Sequence, residues 1–406
     1  MKAIYLGPKR EKKVWHNYGD DADGSVYEFH RGIPREVPLS LANFLNSAPN
    51  FRLDDGTAFI SDPILKKAHD DGRPITILLI RYLGGIGDIL MVTPAIRGVR
   101  EKFPNAEITF AINKQYAAGS LFDIIEFNPH IDKIVNTHGL TIEQKKSYTS
   151  WTDLSHPCAR YEAQTAPNVD LHRSEIYCEE CGVTPSSMKP VLVLPEQDME
   201  FAHDFYNRHG LYGSKVVAIQ PYAADLRRVW GPDRMLAVAG LMSDVKFLWI
   251  DYLNKPVNPP ENVIDCTRLK VRQTAALVKK SNLAVGCDSF LLQISAALDV
   301  PLIAIFGATD PYMRCKFHTN WTPIWHKDEC SDCPCWYGYP CLNTHLKDLG
   351  NLVVIDRDGH ELTKRKCLET VTVPEVADTI RKMLDKREVS NEKTGDRIGE
   401  QSTAGA

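Results

Sequence analysis

No apolar run in this 406-residue chain approaches the ~20 residues that a membrane-spanning helix needs. No apolar core follows the charges of MKAIYLGPKREKKVW, so a secretory signal is not expected. Charge of one sign is not in excess either. Forty-eight Lys+Arg stand against 52 Asp+Glu, a net charge of −4, which argues against wrapping of nucleic acid but leaves room for a local basic pocket. The 13 histidines show neither His-Glu-x-x-His nor triad spacing, and they read as scattered surface and packing residues. These absences point to a cytoplasmic protein without a transmembrane segment. The rest of the composition, 43% hydrophobic and 25% charged, is that of a globular chain long enough for two or three domains.

Cysteine is plentiful. There are eleven, an odd number, so complete pairing within the chain is impossible. Four of them, Cys330, Cys333, Cys335 and Cys341, fall within twelve residues. Such density could bind a structural zinc or an iron–sulfur cluster, but the spacing lacks the paired order of a zinc ribbon, and free thiols are the favoured reading. Cys178-x-x-Cys181 lies far from any thioredoxin-like pattern, so redox catalysis is not expected there.

Residues 1–70 read as a small β-rich module, with a hairpin over SVYEFHRGIPREVP (25–38) and a short amphipathic helix over LSLANFLNSAPNF (39–51). The pattern then changes. ITILLIRY (75–82) is a continuous apolar run, as in a strand buried on both faces; LGGIGD, a helix-length stretch and ITFAI (108–112) follow. That order is a βαβ unit. HIDKIVNT (130–137) continues it, and the segment from 138 to about 190 is polar and poorly periodic. A second series follows: KVVAIQ (215–220), KFLWID (246–251), LAVGC (283–287) and LIAIFG (302–307) alternate with helical stretches. Two doubly wound halves, 71–190 and 191–350, are expected, facing a cleft at the carboxyl ends of their sheets. A cysteine-linked segment and closing helix (351–386) and a disordered tail (387–406) complete the division.

Three places carry chemistry-bearing residues. Gly84, Gly85 and Gly87 allow a sharp turn and close backbone approach at a helix start, where free N–H groups favour an anion. Asp88 sits in the same place, as an N-cap or as a functional carboxylate. The loop is not G-x-G-x-x-G, which weakens a nicotinamide-binding reading. Arg227 and Arg228 follow a strand end in QPYAADLRRVWGPDRM (220–235), a place where two guanidiniums suit a diphosphate. Asp288 and Ser289 stand between a strand and an apolar helix that their side chains can cap, and Thr309 and Asp310 lie in the turn after the next strand. Trp321, Trp325, Trp336 and Tyr337 could stack a sugar, though such aromatics more often pack loops.

RYLGGIGDILMVTPAIRGVREKFPNAEITF resembles the N-terminal signature of glycosyltransferase family 9, the ADP-heptose:lipopolysaccharide heptosyltransferases. CDSFLLQISAALDVPLIAIFGATDP is similar to that family's donor-site signature, and Arg228-x-Trp230-x-Pro232 to its K-x-W-P element. The cysteine-rich segment ending in CLETVTVPEV (367–376) has counterparts in some members. The resemblance implies a GT-B fold of two Rossmann-like domains and an inverting, metal-independent sugar transfer. The donor would be a nucleotide-diphosphate sugar such as ADP-heptose, and the acceptor a saccharide or glycolipid of a bacterial surface glycan. Contact with the inner membrane would be peripheral. It implies Asp88 as general base, Arg228 with Arg227 at the donor phosphates, and Asp288, Ser289, Gln293, Thr309 and Asp310 as donor-binding positions. Phe290 and Gln293 stand where the family has glycine and histidine, changes that alter the shape and charge of the donor site. They also motivate the alternative of a non-catalytic nucleotide-sugar-binding or assembly protein. A metal-dependent redox protein centred on the cysteines is a third reading.

Overall fold

The computed structural model describes residues 2–5, 11–15, 26–30, 34–36, 51–54, 65, 67–68, 70–115, 119–336, 341–342, 363–364 and 366–386. The expected tail, 387–406, lies outside them, as does nearly all of the expected helix over 39–51. The one described residue of that stretch, Phe51, begins a strand. The chain divides into two compact units: Met1–Gly85, Met91–Phe122 and Asn128–Met188 form one, and Ile86–Leu90, Asp123–Phe127 and Lys189–Ala406 the other.

Five short strands precede the first α/β unit. They are β1 (Lys2–Tyr5), β2 (Glu11–Trp15), β3 (Val26–His30), β4 (Pro34–Glu36) and β5 (Phe51–Asp54). The β-rich expectation is met, but the expected hairpin over 25–38 is not formed. β3 pairs antiparallel with β2, and β4 pairs antiparallel with β1, which also pairs with β5. Alternation of side chains specifies a strand but not its partner, and here both halves of the supposed hairpin pair with earlier chain.

The first unit is built on four parallel strands: β6 (Thr76–Arg81), β7 (Glu107–Ile112), β8 (Lys133–Asn136) and β9 (Ser150–Asp153). Their order is β8-β7-β6-β9, so the strand sequence reverses between β6 and β9. Five of the six residues in each of β6 and β7 are buried, as expected where both faces of a parallel sheet are covered. The strand β9 lies within the stretch that reads as irregular in the sequence, because its four residues are too few to show a period.

Helix Ile86–Lys102 follows β6. Within the first unit its later turns are held by helix Arg173–Cys181 and the chain after it. Ser174 Oγ donates to Met91 O at 2.8 Å, and Lys102 Nζ donates to Gly182 O at 3.1 Å. Gly98 makes the approach possible: a Cβ there would lie 2.7 Å from Val183 Cγ2 and 3.3 Å from the Pro185 backbone nitrogen.

The second unit has six parallel strands: β10 (Lys215–Gln220), β11 (Val245–Trp249), β12 (Val263–Asp265), β13 (Leu283–Cys287), β14 (Leu302–Phe306) and β15 (Trp321–Trp325). Their order, β12-β11-β10-β13-β14-β15, is that of a doubly wound nucleotide-binding sheet, with the reversal between β10 and β13. β13 and β14 are buried at every position. Trp230, Phe247, Trp249, Ile303 and Ile305 share one core with Leu368, Val371, Val376, Ile380 and Leu384 from the far end of the described chain. Trp230 Nε1 donates to Val371 O at 3.1 Å, and Arg234 Nη1 donates to Leu368 O at 2.9 Å. The tryptophan of the R-x-W-x-P element is therefore a packing anchor.

Glycine to alanine inside a helix ordinarily stabilises, by about 0.5–1 kcal/mol. Gly98→Ala is expected to do the opposite and cost about 1–3 kcal/mol, because Val183 and the backbone behind it must shift. Urea unfolding of the variant measures this, and a gain in stability would contradict the packing described.

Candidate donor and acceptor sites

At the end of β6 the chain turns through Gly84, which has φ +100°, a conformation that side-chain-bearing residues rarely adopt. Gly85 stands at the mouth of helix Ile86–Lys102, and Gly87 and Asp88 lie within its first turn. Asp88 is thus the third helical residue and not the N-cap. A half-buried carboxylate at that position is stabilised by the helix dipole. Across the reversal between β6 and β9, Arg81 Nη1 donates to Leu154 O, Leu154 N donates to Ile80 O at 2.7 Å, and Tyr82 N donates to Ser155 Oγ at 2.9 Å.

The reversal in the second sheet is more densely connected. Gln220, the last residue of β10, is 2% exposed. Its Nε2 donates to Ser289 Oγ at 2.9 Å, and its Oε1 accepts from Leu291 N at 3.2 Å. Leu291 is in the first turn of helix Phe290–Leu298, so Gln220 satisfies an N–H that no carbonyl of the helix can reach. The sequence suggests Ser289 as a side-chain cap. It occupies the N-cap position but makes no side-chain cap hydrogen bond, since its hydroxyl is engaged by Gln220.

Arg228 and Asp288 meet beside this link. Arg228 Nη1 donates to Asp288 O at 2.7 Å, placing a guanidinium at the mouth of helix Phe290–Leu298. Arg227 is engaged elsewhere: its Nε and Nη2 donate to the Asp225 carboxylate at 3.0 and 2.7 Å. Burial pushes the Asp225 carboxyl up, but the hydrogen bonds and charge of Arg227 outweigh it and hold the group below its ordinary value. Asp225 has no motif to mark it, and two residues' distance from Arg227 was the only signal.

Thr309 and Asp310 act within the fold. Thr309 is buried and its Oγ1 donates to Asp288 Oδ2 at 2.9 Å. Asp310 caps the short helix Pro311–Arg314, accepting from Tyr312 N at 2.8 Å. Gln293 is buried, with Nε2 3.5 Å from Arg314 O. Among the aromatics, Trp325 Nε1 donates to Gly307 O at 3.2 Å, and Tyr312 packs edge-on to Trp321 with ring centres 5.5 Å apart. Tyr337 lies outside the described residues.

The cysteines divide by burial. Burial pushes the Cys158 and Cys178 thiols up to about 12 and raises Cys181 as well, so the C-x-x-C pair on helix Arg173–Cys181 stays protonated. Cys333 differs. A hydrogen bond from Cys367 lowers it against the opposing effect of burial, and Cys333 Sγ itself lies 3.0 Å from Gly307 O. Among the described residues no group of three or more His, Cys, Asp or Glu could hold a metal ion, so the less favoured reading of a structural metal at Cys330, Cys333, Cys335 and Cys341 has no support. The side chain of Cys341 lies outside the described residues. No helix among the described residues is long and apolar enough to cross a membrane.

The sequence profile of glycosyltransferase family 9 (heptosyltransferase) matches residues 134–335. That stretch resembles a glycosyltransferase family 9 domain. Solved structures share its fold. The family 9 glycosyltransferase of Veillonella parvula aligns with a TM-score of 0.54 at 17% identity, over 77% of this chain and 97% of its own. The ADP-heptose LPS heptosyltransferase II of E. coli aligns at 0.53 and 14%, over 77% and 100%. The iron-containing dodecameric glycosyltransferase TibC of enterotoxigenic E. coli gives 0.54 and 17%, over 77% and 78%. No curated protein matches the chain. The two parallel-sheet units thus match the GT-B fold of these structures. The N-terminal strands precede the part of the chain that the family profile matches.

Thiol chemistry gives a direct check on the environments of these cysteines. Under limiting iodoacetamide at neutral pH, Cys333 is expected to be alkylated at least about tenfold faster than Cys158, Cys178, Cys181, Cys266, Cys287 or Cys315, all of them buried. Mass-spectrometric mapping of the labelled chain reads the order, and equal labelling would contradict it.

Proposed function

We propose that this chain transfers a sugar, heptose or a close relative, from a nucleotide-diphosphate donor to a saccharide or glycolipid acceptor, with inversion at the anomeric carbon. The observation that carries this reading is the link of Gln220, Ser289, Asp288 and Arg228 at the strand-order reversal of the second sheet, the place where doubly wound folds take nucleotides. The acceptor class follows the lipopolysaccharide named for the E. coli enzyme of the same fold.

The roles follow from chemistry. Asp88 takes the proton from an acceptor hydroxyl as that oxygen attacks the anomeric carbon. The bond from that carbon to the diphosphate oxygen breaks in the same displacement, so the configuration inverts. Negative charge grows on the departing diphosphate, and Arg228 meets it with a fixed guanidinium beside a helix N-terminus. In this reading a protein cation serves the leaving group, and the chemical step needs no metal. Asp288 and Ser289 contact hydroxyl groups of the donor, since a carboxylate accepts hydrogen bonds and repels phosphate. The Gly84–Gly85–Gly87 loop lets the acceptor approach the backbone closely.

The test is release of nucleoside diphosphate from a panel of nucleotide sugars offered with saccharide acceptors. Asp88→Ala is expected to lower kcat by about 10²–10⁴-fold with donor affinity unchanged. Full activity in that variant removes Asp88 from the mechanism. Arg228→Ala is expected to weaken donor binding by about tenfold or more, measured by calorimetry, from the loss of a charge-assisted contact. Nucleotide-sugar binding without release under any acceptor would instead favour the non-catalytic binding protein.

A further inference from the structure

Asp288 stands on a mount that the motifs do not reveal. Its Oδ2 accepts from Thr309 Oγ1 at 2.9 Å and lies 3.5 Å from Nε of Arg314. Arg314 is only 6% exposed, the last residue of the short helix that Asp310 caps. Its guanidinium lies 4.7 Å from the ring centre of Trp336, and Trp336 is fixed in turn by its backbone N–H, which donates to Ala308 O at 2.8 Å. Gln293 reaches the backbone carbonyl of the same arginine.

A guanidinium buried to this extent carries a desolvation cost that a well-packed apolar side chain of similar size would avoid. Packing alone therefore does not account for an arginine here. Geometry does. Thr309 holds one carboxylate oxygen by a hydrogen bond and the Arg314 charge attracts the same oxygen, which together favour one orientation of the carboxylate.

We propose that Arg314 is a positioning residue of the donor site. It acts through Asp288, orienting the carboxylate toward a donor hydroxyl, while the Trp336 ring supports the guanidinium. The inference rests on the donor-site reading above. It adds a residue outside the D-S and T-D-P motifs, and it gives an aromatic within the cysteine-rich segment a part in donor recognition.

The experiment is calorimetric titration of the full-length chain with ADP, GDP and UDP, followed by the tightest of the three. Arg314→Gln is expected to weaken its binding about tenfold, and Arg314→Lys, which keeps the charge, to stay within about threefold of the parent. In an Asp288→Asn background, Arg314→Gln should cost less than about threefold further, because the two residues act as one unit. With a working transfer assay, Arg314→Gln should raise donor KM and leave kcat nearly unchanged. Unchanged affinity in Arg314→Gln overturns the inference, and so does an equal loss in both backgrounds, which marks a purely structural role. If Arg314→Gln does not fold, Thr309→Val removes the hydrogen bond to Oδ2 with nearly the same shape. It should weaken binding about threefold or more, and no change there overturns the inference too. Failure of the unsubstituted chain to bind any of the three nucleotides removes the donor-site reading itself, and the positioning role with it.

Discussion

One side chain at the end of one strand organises the second unit. Gln220 closes β10, and its amide uses both of its ends: the nitrogen holds Ser289, and the oxygen receives the Leu291 N–H. The constraint is topological. Where strand order reverses, the chain after β10 and the chain after β13 leave in opposite directions, and their first residues are side by side with no strand between them. A buried amide suits that place because it donates and accepts at once and leaves neither backbone nor hydroxyl unsatisfied. Gly286, directly before, fits the same crowding, since a Cβ there would come within 3.3 Å of Leu291 and 3.5 Å of Gln220.

The polar residues around this link form two groups with different tasks. Arg228 reaches the Asp288 carbonyl from the chain that follows β10, while Thr309 and Arg314 hold the Asp288 carboxylate from the chain that follows β14. The chains that follow β10 and β14 thus converge on one residue in the turn after β13, the strand between them. Asp225 and Asp310 keep neighbouring groups in place, the first by engaging Arg227 and the second by capping the helix that ends in Arg314. In the first unit, Arg81 and Tyr82 join the ends of β6 and β9.

Much of this was legible in the sequence where the signal is local. The apolar runs of β6, β10, β13 and β14 announce themselves because strands covered on both faces have no polar alternation to confuse them. The glycine loop and the family motifs stand beside those runs. What escaped notice depends on partners far apart in sequence. Ser289 reads as a cap until Gln220, 69 residues earlier, is seen to take its hydroxyl. The strands β12 and β15 lie at the sheet edges, where half-exposed residues weaken the pattern. β3 and β4 look like the two arms of one hairpin because a strand's sequence does not name its neighbour. Arg314 is a surface residue by composition and a buried one by fold, and no spacing rule could have told the two apart.

The core of the second sheet has a consequence for how the chain matures. Leu368, Val371, Val376, Ala377, Ile380 and Leu384 pack with residues of β10, β11, β13 and β14, and Trp230 and Arg234 clasp the backbone at 368–371. On the ribosome these late residues are still in the exit tunnel when the sheet they cover has already emerged. The first unit, by contrast, has all its strands by residue 153 and its last helices soon after. The nascent protein therefore passes through an interval in which one lobe can settle while the other keeps an apolar flank uncovered, and it is during that interval that a chaperone has something to hold.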